Sequence, residues 1–254
     1  MKNKNKFVGP NALTFLVTLV VNFLATSLPL NNMTTREISD SFDIYFVPAG
    51  YVFSIWGLIY LGLISFIIFQ SLPNNRENDH VAKIGPWFAV SNLANALWLV
   101  SFHYQQFALA MVFMLVLLVS LITIFLRLGI GKTRVTAAEN WLVNVPFSLY
   151  LGWITVATIA NATQLLYFIR WNGFGIAPEV WLVIMLIAAV IISAMMSLSR
   201  RNIPHALVLV WAFTGIAVKF PNVPLVNISS LAAAGAVILL LVFALLSKPG
   251  VAEK

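Results

Sequence analysis

Trp153, Ala157 and Asn161 follow one another at intervals of four residues, and Asn92, Asn95, Trp98 and Phe102 recur at nearly the same period. On a helix such spacings put side chains on one face. Trp56 and Tyr60 form a third set, one turn apart. Indole and phenol rings stack on flat apolar molecules, and a few amides can fix orientation. The chemistry open to these residues is recognition of a planar ligand. The other reading is that Asn92, Asn95 and Asn161 tie helices to one another, as amides do inside apolar bundles. Spacing alone leaves both readings open.

Bond-breaking chemistry finds less support. The chain has no cysteine, so thiol catalysis and disulfides are excluded. His80, His103 and His205 are far apart and lack ligand spacing, which argues against a metal site. The apolar segments hold no acid–base pair and no activated nucleophile, so a non-enzymatic protein is expected. Trp211 and Lys219 on one late segment could suggest a retinal Schiff base. That chemistry needs a buried carboxylate counter-ion, and no apolar segment carries one.

The elements that must position these residues are membrane helices. Of 254 residues, 61% are hydrophobic and 9% are charged. So few polar side chains cannot cover a water-soluble surface. A spanning helix needs about 20 mostly apolar residues. Such runs occur near 11–29, 50–72, 84–102, 107–128, 138–166, 178–198, 203–219 and 226–246. The run starting at Pro204 is the shortest, and losing it would leave seven spans. Pro29, Pro73, Pro178, Pro204 and Pro221 sit at or near expected ends, where a missing backbone donor is tolerated. Lys2–Lys6 followed by the first run could instead be a signal peptide, with Ala25-Thr26-Ser27 as a loose cleavage site.

The net charge of +7 does not read as nucleic-acid binding, because the basic residues form no dense patch. They read as topology signals. With eight spans, one side receives Lys2, Lys4, Lys6, Arg76, Lys83, Arg127, Lys132, Arg134, Arg200, Arg201, Lys248 and Lys254. The other receives Arg36, Arg170 and Lys219. The positive-inside rule then puts both termini in the cytoplasm of a multi-pass cell-membrane protein. The apolar runs lack buried ionisable groups, which argues against ion-coupled transport. Trp87, Trp141, Trp171 and Trp181 fit interfacial anchors. Trp153 lies too deep for that role.

Three motifs resemble those of the tryptophan-rich sensory protein family, also called the translocator protein or TspO/MBR family. They are Pro48-Ala-Gly-Tyr51-Val-Phe-Ser-Ile-Trp56-Gly-Leu-Ile-Tyr60, Asn95-Ala-Leu-Trp98 with Phe102 four residues on, and Trp153-Ile-Thr-Val-Ala157-Thr158-Ile-Ala-Asn161. Ala49 and Tyr51 stand where the family has proline and tryptophan, and the tract before Trp56 is one residue shorter. The resemblance covers roughly residues 10–168 and implies an all-α, polytopic transmembrane bundle. Residues 1–168 would form the family's five-helix unit, and 169–254 three additional helices packed on it, as in an extended form of the family.

The resemblance further implies a pocket for a flat apolar ligand, such as a tetrapyrrole or a lipid, open to the outer half of the bilayer. The matching positions are Trp56, Tyr60, Asn95, Trp98, Trp153, Ala157 and Asn161, with Pro48 and Tyr51 in a lid. Arg36, Arg170 and Lys219 are the cations that porphyrin carboxylates would meet, Lys219 first. The partners implied are membrane lipid and a small hydrophobic ligand, with a second copy of the chain as a further candidate. Sensory binding and facilitated transport both fit such a pocket.

Overall fold

The computed structural model describes residues 6–27 and 30–247. Lys2, Lys4, Pro29, Lys248 and Lys254, used above as topology or boundary signals, lie outside the described residues. The described chain is all-helical, without a strand. Eight long helices follow one another: α1 (Val8–Ser27), α2 (Gly50–Ser71), α3 (Trp87–His103), α4 (Phe107–Leu128), α5 (Ala137–Phe168), α6 (Pro178–Arg200), α7 (Ile203–Lys219) and α8 (Pro224–Leu246). Six are long and apolar enough to cross a membrane, whereas α3 and α7 have only 17 residues each. At 1.5 Å per residue these two span roughly 26 Å, less than the hydrocarbon core. Both bury most of their length, α3 with its amides turned inward, while each keeps an exposed apolar stripe.

The first five helices close a ring in the order α1, α2, α5, α4, α3. The last three stack outside it, α7 against α5, and α8 and α6 against α7. The α5–α7 crossing is tight because α5 has Gly152 there. A Cβ at that position would lie 3.2 Å from the backbone of His205 and 3.1 Å from Val208. Small residues permit such approach where lipid gives helices no hydrophobic reason to associate. Asn202 fastens the same crossing by donating to Ser148 Oγ at 2.9 Å.

One end of the bundle carries the long segment 30–54 and the turns 104–106, 169–177 and 220–223. We term it the loop face. Arg36, Arg170 and Lys219 sit there. Lys6, Arg76, Lys83, Arg127, Lys132, Arg134, Arg200 and Arg201 sit at the opposite end. The two halves of the five-helix ring are filled differently. Toward the opposite face, Phe66, Phe88 and Phe147 from α2, α3 and α5 meet edge to face, with centroids 5.1 to 5.4 Å apart. That geometry suits the ring quadrupoles, and all three rings are fully buried. Toward the loop face the ring is lined by tryptophans and holds cavities.

Candidate functional site

Asparagines fix the helices that carry the tryptophans. From α1, Asn22 donates to Asn95 Oδ1 at 3.0 Å, and Asn95 donates to the Tyr150 hydroxyl of α5 at 3.0 Å. One turn lower, Thr18 donates to the Asn92 carbonyl at 2.8 Å and Asn92 donates to Thr14 Oγ1 at 3.2 Å. Asn11 and Gln70 join α1 to α2 in the same way. Without water in the hydrocarbon, such groups must find each other. Asn92 and Asn95 are therefore helix ties, and Asn95 lines no cavity.

Above these ties stands an aromatic cluster. Trp56 stacks on Tyr60 at 5.4 Å and on Trp98 at 6.4 Å, and Trp98 stacks on Phe102 at 5.6 Å. Trp153 meets Trp56 edge-on at 6.2 Å and Phe53 at 5.9 Å. Trp98 is held in place by its Nε1, which donates to Asn161 Oδ1 at 2.9 Å. The three helices singled out by spacing thus do bring their rings together.

Two cavities flank the cluster, and Trp56 and Trp98 line both. The inner hollow, between α2, α3 and α5, measures about 40 Å³ and is lined by Pro48, Phe53, Trp153, Ala157, Asn161 and Gln164 among others. That admits a water-sized group and not a ring. Two buried polar atoms on its wall, Trp153 Nε1 and Gln164 Oε1, have no hydrogen-bond partner. The outer cleft, between α1 and α2, measures about 450 Å³. This lies in the range of small-molecule sites. Tyr60, Asn22, Leu19, Thr35 and Arg36 complete it, and the buried Tyr60 hydroxyl is also unpartnered.

The residues named from sequence therefore divide. Tyr60 faces the cleft, Trp153, Ala157 and Asn161 face the hollow, and Trp56 and Trp98 separate the two. Pro48 roofs the hollow, whereas Tyr51 lines neither cavity and packs edge-on against Trp211 of α7 at 5.1 Å. Lys219 is paired with Asp40 and lines neither cavity, so Arg36 is the cation at the cleft. Gln164, Phe53 and Asn22 were not anticipated. Gln164 continues the α5 face, three residues beyond Asn161, and was legible by that period.

The 45–54 segment is anchored by the last three helices. The Ala49 N–H donates to the Gly215 carbonyl at 3.0 Å, and Trp211 Nε1 donates to the Val52 carbonyl at 3.2 Å. A Cβ on Gly215 would overlap Val52 Cγ2. Tyr45 donates to Glu179 of α6 at 3.0 Å, and that bond holds its phenol above the usual tyrosine range. At the front, Thr34 and Glu37 form a capping box on the short helix Thr35–Asp40. The bonds from the backbone and hydroxyl of Thr34 hold the Glu37 carboxyl below its usual range. The short helix is pinned behind by His103, whose ring contacts Thr35 Oγ1 at 3.0 Å and the Leu30 carbonyl at 3.1 Å.

A family model described as TSPO-like protein matches residues 7–245, so the match runs through all eight helices. No curated protein and no solved structure matches the chain.

Proposed function

Because the chain belongs to the TSPO-like protein family, we propose that it is a membrane-embedded binding or sensory protein whose outer cleft takes a flat apolar ligand of tetrapyrrole or lipid type. The observation that carries this reading is the stacked face of Trp56, Tyr60 and Trp98 along a 450 Å³ cleft with Arg36 at its mouth. A planar ring system slides between α1 and α2 and lies against that face. The Tyr60 hydroxyl and Asn22 supply polar contacts, and Arg36 meets an acidic substituent. The inner hollow is too small for the ring, and its unpartnered indole and amide groups suit a small polar group reaching past Trp56. In this reading the loop face is turned outward and the ligand enters from the outer leaflet.

The test is a titration of detergent-purified protein with protoporphyrin IX, followed by tryptophan quenching. Saturable binding is expected. Trp56→Ala removes the middle ring of the stack and weakens it about tenfold, the worth of one lost aromatic contact plus its buried area. A wild-type curve that never saturates, or a Trp56→Ala curve identical to it, defeats the reading. Ligand-dependent flux into proteoliposomes would shift the reading from sensing to facilitated transport through the same cleft.

A further inference from the structure

A third cavity, of about 330 Å³, opens on the loop face and is lined by none of the residues of the aromatic cluster. Its walls come from the end of α5, the turn 169–177, the start of α6 and the irregular stretch 43–46. They are aromatic on most sides, through Tyr45, Phe46, Tyr167, Trp171 and Trp181. The two indoles stand 5.0 Å apart at 57°, neither parallel nor perpendicular, so they form two walls of a corner. Trp181 is fixed there by its Nε1, which donates to the Gly173 carbonyl at 2.9 Å. Trp171 is fixed by Phe174, edge-on at 5.2 Å. Phe174 adopts φ 54°, a left-handed backbone that aromatic residues avoid, to reach that position.

The charge in this cavity has one sign. Asp43 lines it, and among the described residues no hydrogen bond or ion pair engages its carboxylate. Behind Tyr45, Glu179 accepts a hydrogen bond from the phenol at 3.0 Å, which sets a carboxylate behind that ring. The nearest cations lie outside it. Lys219 is on Asp40, and Arg170, which no ion pair engages among the described residues, lines the neighbouring groove and not this cavity. Electron-rich ring faces with one carboxylate and no resident cation favour a large, weakly hydrated cation. A metal ion is a poor fit, because calcium needs six to eight oxygen ligands and these walls are mostly carbon.

We propose that the Asp43–Tyr45–Trp171–Trp181 cavity is a binding site for an organic ammonium group of the trimethylammonium kind. The group sits in the indole corner with its charge facing the Asp43 carboxylate. This site is independent of the cleft described above, and either can fail without the other. A trimethylammonium group reaches the loop face either as a free soluble cation or as the headgroup of a choline lipid.

The experiment uses full-length protein in nanodiscs of phosphatidylglycerol, titrated with choline chloride and followed by tryptophan fluorescence. Saturable binding is expected for choline, and none for 3,3-dimethylbutan-1-ol, which has the same shape without the charge. Asp43→Asn, a change at an exposed and unpartnered side chain, weakens choline binding about tenfold, and Trp181→Phe weakens it less. Both variants keep the wild-type thermal unfolding midpoint, which shows that they fold. Equal binding of choline and its neutral analogue, or an unchanged choline affinity in Asp43→Asn, overturns the proposal. Repeating the titration with phosphatidylcholine in the disc separates the two sources. A weakened choline affinity there assigns the site to the lipid headgroup, and an unchanged one assigns it to a soluble cation.

Discussion

The indole nitrogen of Trp98 donates to Asn161 Oδ1 at 2.9 Å, and Asn95, one turn from Trp98, donates to Tyr150 at 3.0 Å. Both bonds cross from α3 to α5, yet they differ in what else they do. Trp98 and Asn161 line the hollow, whereas Asn95 lines nothing. Asn161→Ala should therefore free the Trp98 ring at a stability loss of about 0.6–1.7 kcal/mol, the range for a hydrogen bond within membrane. Asn95→Ala should lose more, because it also breaks the bond from Asn22 and leaves the Tyr150 hydroxyl buried alone. Asn161→Ala should alter protoporphyrin affinity through the freed Trp98 ring, whereas Asn95→Ala should act on it only through Asn22, which it releases. Thermal unfolding in detergent and the quenching titration, run on both variants, check the pair. An Asn95→Ala protein with intact stability would contradict its role as a tie.

Helix count and facial register were legible in the sequence because both follow from hydropathy and period, which are local. The spans near 84–102 and 203–219 became α3 and α7 within a few residues. The stacking of Trp56 on Trp98 was likewise foreseeable once both faces were assumed to point inward. What could not be read was which partner each inward group finds. Asn95 and Asn161 look alike in period, but one meets two polar neighbours and the other meets an indole beside a hollow. Trp171 and Trp181 read as interfacial anchors, since the cavity they share with Asp43 is assembled from segments more than a hundred residues apart. Gly152 and Gly215 were the missed signals. A glycine inside a span marks where another backbone comes close, but it does not say whose.

Gly215 offers the sharpest test of how the last three helices serve the first five. Its carbonyl accepts from Ala49 and its missing side chain makes room for Val52. Gly215→Val should push the 48–54 segment off α7, with an overpacking cost of about 1–3 kcal/mol. The hollow beneath Pro48 should then open. Because the chain lacks cysteine, a cysteine placed at Val47, which is buried, reports this without background. Its alkylation by a polar maleimide should be slow in the Gly215 protein and fast in the Gly215→Val protein. Equal rates would mean that α7 does not hold the lid.

The segregation of basic residues to one end predicts the orientation of the whole bundle. Phe174 protrudes from the loop face and is 78% exposed, and Arg134 lies in an exposed turn at the opposite face. In intact cells, a membrane-impermeant maleimide should label cysteine at position 174 and spare cysteine at position 134 until the cells are lysed. The opposite pattern would invert the protein and place the cleft mouth on the cytoplasmic side.

Acid should loosen the short helix Thr35–Asp40 through Glu37. Thr34 donates to the Glu37 carboxylate from its backbone N–H at 2.7 Å and its hydroxyl at 2.8 Å, and both bonds favour the ionised form. The folded pKa is thereby lowered from its usual 4.5, so the unfolded short helix binds the proton more readily than the folded one. By linkage, the capping box contributes its full stability above about pH 5 and loses it as the pH falls through the lowered folded value. Thr34, Thr35 and Arg36 border the cleft, so unwinding of Thr35–Asp40 changes its mouth. Amide exchange of residues 37–41, corrected for intrinsic rates, should lose protection between pH 5 and pH 3 while α2 to α5 stay protected. Glu37→Gln cannot ionise, and in that variant the segment should show weaker protection at neutral pH with no further drop on acidification. A pH-dependent loss that persists in Glu37→Gln would place the acid-sensitive group elsewhere.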